Sequence, residues 1–106
     1  MTYLNIDAAE MAQRMQNNQP MHLLDVREAI EYHTYNIGGL NIPLSSLSKK
    51  LPLPGWEQSD EIIVICKVGL RSKTAQSILQ QNGYSNVRNL SGGLMALQKI
   101  NRNNPL

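Results

Sequence analysis

The stretch Glu61-Ile62-Ile63-Val64-Ile65-Cys66-Lys67-Val68-Gly69-Leu70-Arg71-Ser72 (EIIVICKVGLRS) decides the fold. Its first half is β-branched and does not alternate with polar residues. That pattern suits a central parallel strand covered on both faces. A glycine, an arginine and a serine then follow the only cysteine within six residues. From Ser72 onward Ala75, Ile78 and Leu79 recur at helical spacing, until Asn82-Gly83 stops them. A buried strand, a tight loop and a helix are therefore expected, with Cys66 at the carboxyl end of the strand.

The same alternation extends in both directions. Asp7-Ala8-Ala9-Glu10 has the spacing of a capping box, and Ala8, Met11, Ala12 and Met15 then mark a helix face. Asn17-Asn18-Gln19-Pro20 ends that helix. His22 to Val26 reads as a short buried strand and Glu28 to His33 as a short helix. Asn36 to Pro43 is a turn into a short extended segment, and Ser45 to Lys50 makes one or two helical turns. Pro52 to Gly55 is a breaker-rich connection. Val87 to Leu90 is a final strand, and Gly92-Gly93 opens a last helix through Met95, Leu97 and Ile100. Strands alternating with helices predict an α/β fold, a short parallel sheet with helices on both faces. Ligands of such sheets bind beyond the carboxyl ends of the strands, where Cys66 lies.

Bulk composition narrows the function classes. With 106 residues the chain is expected to form one domain over 1–106, large enough for a core without disulfides or metal. It is 42% hydrophobic and 17% charged, and its net charge is only +2. Neither a nucleic-acid partner nor a membrane partner is expected from that balance. MTYLNIDAAE has no basic region followed by an apolar stretch, so no signal peptide is expected. A reducing cytoplasm is the simplest setting for a lone thiol. One cysteine also excludes an internal disulfide or a resolving thiol within these 106 residues.

On position alone Cys66 reads equally well as a small buried hydrophobe. The residues after it change that balance. The first amides of a helix have no internal partners, and with the loop amides they form an anion-binding concavity. Gly69 adds no side chain there and can take positive φ. Such settings lower a cysteine pKa from about 8.5 into a range of roughly 3.5 to 7.5.

Cys66-Lys67-Val68-Gly69-Leu70-Arg71-Ser72 resembles the active-site loop of the rhodanese-like sulfurtransferases, which usually runs Cys-Arg-x-Gly-x-Arg-Ser. Leu24-Asp25-Val26-Arg27-Glu28 is similar to the family's Leu-Asp-Val-Arg segment. Glu31-Tyr32, Asn36-Ile37-Gly38-Gly39, Asn41-Ile42-Pro43-Leu44 and Leu90-Ser91-Gly92-Gly93 resemble further segments, in the family's order. The resemblance is to single-domain proteins of the thiosulfate sulfurtransferase type. It implies that Cys66 takes a sulfane sulfur from a donor such as thiosulfate, carries it as a persulfide and passes it to cyanide, a thiol or a protein acceptor. The backbone of Lys67, Val68, Gly69, Leu70, Arg71 and Ser72 is then the anion cradle. No organic cofactor and no metal is implied.

Several residues carry narrower expectations. Lys67 stands where the family commonly has Arg, and as a point charge it draws an anionic donor to the mouth of the loop. Arg71 is expected to brace the loop by pairing with Asp25 or Glu28. Asp25 and Arg27 are supporting residues near the pocket, Asp25 chiefly as a cap or ion-pair partner. Ser72 either caps the helix or donates to the bound sulfur. Trp56 is a loop anchor, and Met11 and Met15 belong to a helix core. Asn36, where the family often has His, and Leu97, where it often has an aromatic residue, are scaffold variation.

Three rivals are weighed against sulfur transfer. Cysteine-dependent phosphatases of this fold resemble Cys followed by five residues and Arg, whereas four residues separate Cys66 from Arg71. The shorter ring suits one sulfur better than a phosphate. A non-catalytic module, or a sulfur relay acting with a partner protein in cofactor biosynthesis, is the alternative that the resemblance also allows. A Cys–His arrangement using His22 or His33 has no local signature.

Overall fold

The structure, a computed structural model, describes residues 4–103. The single-domain expectation for 1–106 therefore extends outside the described residues at both ends. Five strands, β1 (Asn5–Ile6), β2 (His22–Asp25), β3 (Leu40–Asn41), β4 (Ile62–Ile65) and β5 (Val87–Leu90), form one sheet in the order β1-β5-β4-β2-β3. Every pairing is parallel. Five helices connect them: α1 (Ala8–Gln16), α2 (Ala29–Thr34), α3 (Leu44–Leu47), α4 (Leu70–Gln81) and α5 (Gly93–Asn103). A 3-10 turn, Ser48–Lys50, extends α3.

The β-branched run explains why β4 is central. Ile62 and Val64 face a core shared with Leu24, Val26, Leu47, Ala75 and Leu79, which lie on or beside α3 and α4. Ile63 and Ile65 face the other core, built with Ile6, Met11, Leu90, Leu94 and Leu97 of α1 and α5 and the flanking strands. All four β4 side chains are completely buried. Each such aliphatic contributes about 1.5–3 kcal/mol relative to exposure, so no alternation with polar residues is tolerated here.

Two expectations shift by local chemistry. The helix read from Ser72 begins earlier, at Leu70, because Gly69 takes φ 94° and serves as its N-cap. Ser72 is therefore inside the first turn and does not cap it. The strand Asn5–Ile6 was not expected. It is two residues long, too short for periodicity to register, and it is defined by pairing with Asn89 and Leu90. On α5 Leu97 is buried as read, whereas Met95 faces outward. Trp56 anchors its loop as expected, with its ring centroid 4.8 Å from that of His22.

Candidate active site

Alternation along β4 sends Cys66 to the same side as Ile62 and Val64, beneath the start of α4. The chain must then reverse within Lys67, Val68 and Gly69. Its carbonyls are drawn to one side by α5. Leu94 N–H donates to Cys66 O and Met95 N–H donates to Lys67 O, both at 3.0 Å. Gly93 makes this approach possible, since a Cβ there would lie 2.4 Å from Lys67 O. With the carbonyls engaged by α5, the loop's amides are left to turn inward.

They converge on the sulfur. Gly69 N–H donates to Cys66 Sγ at 3.1 Å and Ser72 N–H donates at 3.3 Å. Ser72 Oγ lies 3.2 Å from Sγ. Cys66 is only 1% exposed, and burial pushes its thiol up. The amides of Ser72, Gly69 and Val68, with Ser72 Oγ in contact, act against burial, and the thiol is held below the ordinary cysteine value. Ser72 thus lies against the sulfur, and its hydroxyl also reaches Asn89 Oδ1.

The charged residues are arranged differently from expectation. Arg71 pairs with Glu31, at 2.6 and 3.0 Å, and not with Asp25 or Glu28. The reason lies in prior commitments. Asp25 has both carboxylate oxygens on Arg27, the shortest contact being 2.7 Å, and also accepts the Arg27 N–H. Glu31 is aimed by accepting the Glu28 N–H, and the Arg71 guanidinium beside it holds its carboxyl at about 2. Arg27 also donates to Tyr35 O at 2.7 Å, tying the end of α2 to β2. Arg27 and Lys67 come together as lining of an open groove of about 400 Å³, with Ile30, Tyr35, Leu94 and Met95. The Val68 and Leu70 side chains point to solvent, Leu70 being 72% exposed.

Two residues at this site were not singled out from sequence. Glu31 was noted only as part of a motif. Asn89, on β5 and buried, receives the Ser72 hydroxyl at 2.5 Å and donates to Gly69 O at 3.1 Å. No local signal marks Glu31 for its pairing, because Arg71 is 40 residues away. Nothing local marks Asn89, because its partners are 17 and 20 residues away. His22 lies at the opposite end of the sheet, in register with Ile62, and His33 packs edge-on against Tyr32. Among the described residues no group of three His, Cys, Asp or Glu side chains is gathered for a metal, and no helix is long and apolar enough to cross a membrane.

Known proteins resemble this chain in sequence and in fold. A maize protein named adenylyltransferase and sulfurtransferase MOCS3-2 is 33% identical over 86% of this chain, which spans only 20% of that protein. The thiosulfate sulfurtransferase PspE of Escherichia coli is 33% identical over 74% of this chain and 78% of its own length. Several curated relatives, the maize protein among them, are thus more than twice as long as this chain's share of them. Among solved structures, a rhodanese-like domain from Anabaena superposes with a TM-score of 0.82 at 26% identity, covering 93% of this chain and 76% of that one. The rhodanese-like domain family model matches residues 7–100, from the cap of α1 to the last buried turns of α5, and this chain belongs to that family.

Proposed function

We propose that this domain is a sulfurtransferase that moves a sulfane sulfur from a donor such as thiosulfate to a thiophilic acceptor through a persulfide on Cys66. The observation that carries the reading is the convergence of the Gly69 and Ser72 N–H groups on Cys66 Sγ. Donors placed there favour a thiolate, which is the attacking species, and then an anionic persulfide. In the first step the thiolate attacks the outer sulfur of thiosulfate. A sulfur–sulfur bond to Cys66 forms, and the bond to the sulfite group breaks with sulfite leaving as the anion. In the second step cyanide or a thiolate attacks the terminal sulfur and the Cys66 thiolate returns. Neither step requires a protein base.

In this reading Lys67 attracts the anionic donor, while the Val68, Gly69 and Ser72 amides cradle the sulfur. The Arg71–Glu31 and Arg27–Asp25 pairs hold the surrounding backbone in place. The lone thiol, with no disulfide partner, fits a reducing cytoplasm. A phosphatase reading is disfavoured because both Arg71 terminal nitrogens are already bonded to Glu31. A second reading has an observation of its own. The groove beside Lys67 is larger than an inorganic donor fills and is rimmed by Ile30, 77% exposed, with Tyr35 and Met95. That favours a bulky acceptor, such as a partner protein in a sulfur relay, and the maize relative's name joins a sulfurtransferase to an adenylyltransferase in one protein.

The test is steady-state transfer from thiosulfate to cyanide in the unmodified protein and in Cys66→Ser. Turnover is expected in the first and none above background in the second, with unchanged circular dichroism. Retained turnover in Cys66→Ser contradicts the mechanism.

A further inference from the structure

Ser72 Oγ lies between two partners, Cys66 Sγ at 3.2 Å and Asn89 Oδ1 at 2.5 Å. A hydroxyl has one hydrogen to donate, and an amide oxygen only accepts. The amide cannot be turned round without loss, because Asn89 Nδ2 donates to Gly69 O at 3.1 Å and a reversed amide would set oxygen against oxygen. The Ser72 proton therefore points to Asn89, and the Ser72 oxygen presents a lone pair to the sulfur. This suits a thiol, which completes a chain running S–H to Ser72 to Asn89. A thiolate or persulfide anion requires the opposite, a donated hydrogen.

We infer that Asn89 is a positioning residue that holds the Ser72 hydroxyl proton, so that Ser72 donates to the Cys66 sulfur only by releasing Asn89. Ionisation of the sulfur then leaves the Asn89 oxygen, in a side chain 6% exposed, without its donor. Asn89 thereby sets how strongly Ser72 can stabilise the anion, while its amide nitrogen keeps the Gly69 peptide oriented. The functional meaning rests on Cys66 as the sulfur carrier; the proton arrangement does not. The charged groups around the sulfur are Lys67 on the loop, Arg71 of α4 with Glu31 of α2, and Arg27, just past β2, with Asp25 at its end. All are retained in the variants below.

The experiment is a double-mutant cycle read as the pH midpoint of Cys66 alkylation by iodoacetamide. The four proteins are the unmodified chain, Ser72→Ala, Asn89→Val and the double variant. Valine suits a strand, fills the space and offers no acceptor. Asn89→Ala replaces it if Asn89→Val does not fold by circular dichroism. Ser72→Ala is expected to raise the midpoint by about one pH unit more without Asn89 than with it, the size of one neutral hydrogen bond. An equal or smaller rise overturns the inference, since a purely structural Asn89 gives additive shifts. Alkylation needs no sulfur transfer, so failure of the sulfurtransferase reading leaves this readout intact.

Discussion

The two ends of β4 carry two polar clusters of opposite character. Glu61 precedes the strand and joins Glu10, Arg14 and Arg88 in a closed network. Arg14 reaches Glu61 and Glu10 at 2.5 and 2.9 Å, and Arg88 reaches both carboxylates at 3.2 Å. Hydrogen bonds from Arg88 and Arg14 hold the Glu10 carboxyl below its usual range, and the bond from Arg14 does most to lower that of Glu61. Cys66 follows the strand, and there the donors are neutral amides aimed at one sulfur. Both clusters perturb acidity, so perturbation alone does not locate chemistry. At the Glu61 end each charge is balanced by a neighbouring opposite charge. At the Cys66 end the favoured anion is a nucleophile, beside a groove lined by Lys67.

The largest way to break this contrast is at the helix that shapes the loop. Gly93→Ala places a Cβ 2.4 Å from Lys67 O in a backbone with φ 63°. A loss of at least about 2 kcal/mol in unfolding free energy is expected, with loss of persulfide formation in whatever remains folded. Wild-type persulfide yield at wild-type stability would show that α5 does not shape the loop. A smaller effect is expected from Glu61→Gln, which removes one of the two carboxylates shared by Arg14 and Arg88. Denaturant unfolding should report about 1–2 kcal/mol, while the Cys66 alkylation profile stays where it was. A moved profile would mean that the two ends are electrostatically coupled.

The smallest effect concerns acid. Glu31 is held at about 2 by Arg71, below the ordinary 4.5. A folded value depressed in this way stabilises the fold above about pH 4.5, and the contribution is lost as pH falls towards 2. Glu10 and Glu61 act in the same direction. Stability measured by denaturant across that window should fall, and more gently in Glu31→Gln. An identical fall in that variant would place the acid sensitivity elsewhere.

Much of this was legible in sequence because it is local. The β-branched run, the Asp7–Glu10 cap and the spacing of Ala75 and Leu79 each express their element within a few residues. The order of strands and helices, read together, led to the parallel sheet. Cys66, Gly69 and Ser72 were placed by one loop. What escaped depends on distant partners. β1 exists only by pairing with β5. Arg71 finds Glu31 because Asp25 is already held by Arg27, a competition invisible in spacing. Asn89 meets the sulfur loop only after β5 is docked beside β4. The Glu10–Arg14–Glu61–Arg88 network likewise joins three segments, of which only Glu10 and Arg14 show helical i,i+4 spacing.

The most direct measurement is intact-protein mass spectrometry after incubation with thiosulfate under non-reducing conditions. A gain of one sulfur atom, about 32 Da, removed by cyanide and absent in Cys66→Ser, is expected of a loop built to hold a persulfide anion. No gain with thiosulfate or with an organic persulfide donor, from a Cys66 that iodoacetamide still alkylates, would contradict the claim that these amides serve sulfur transfer.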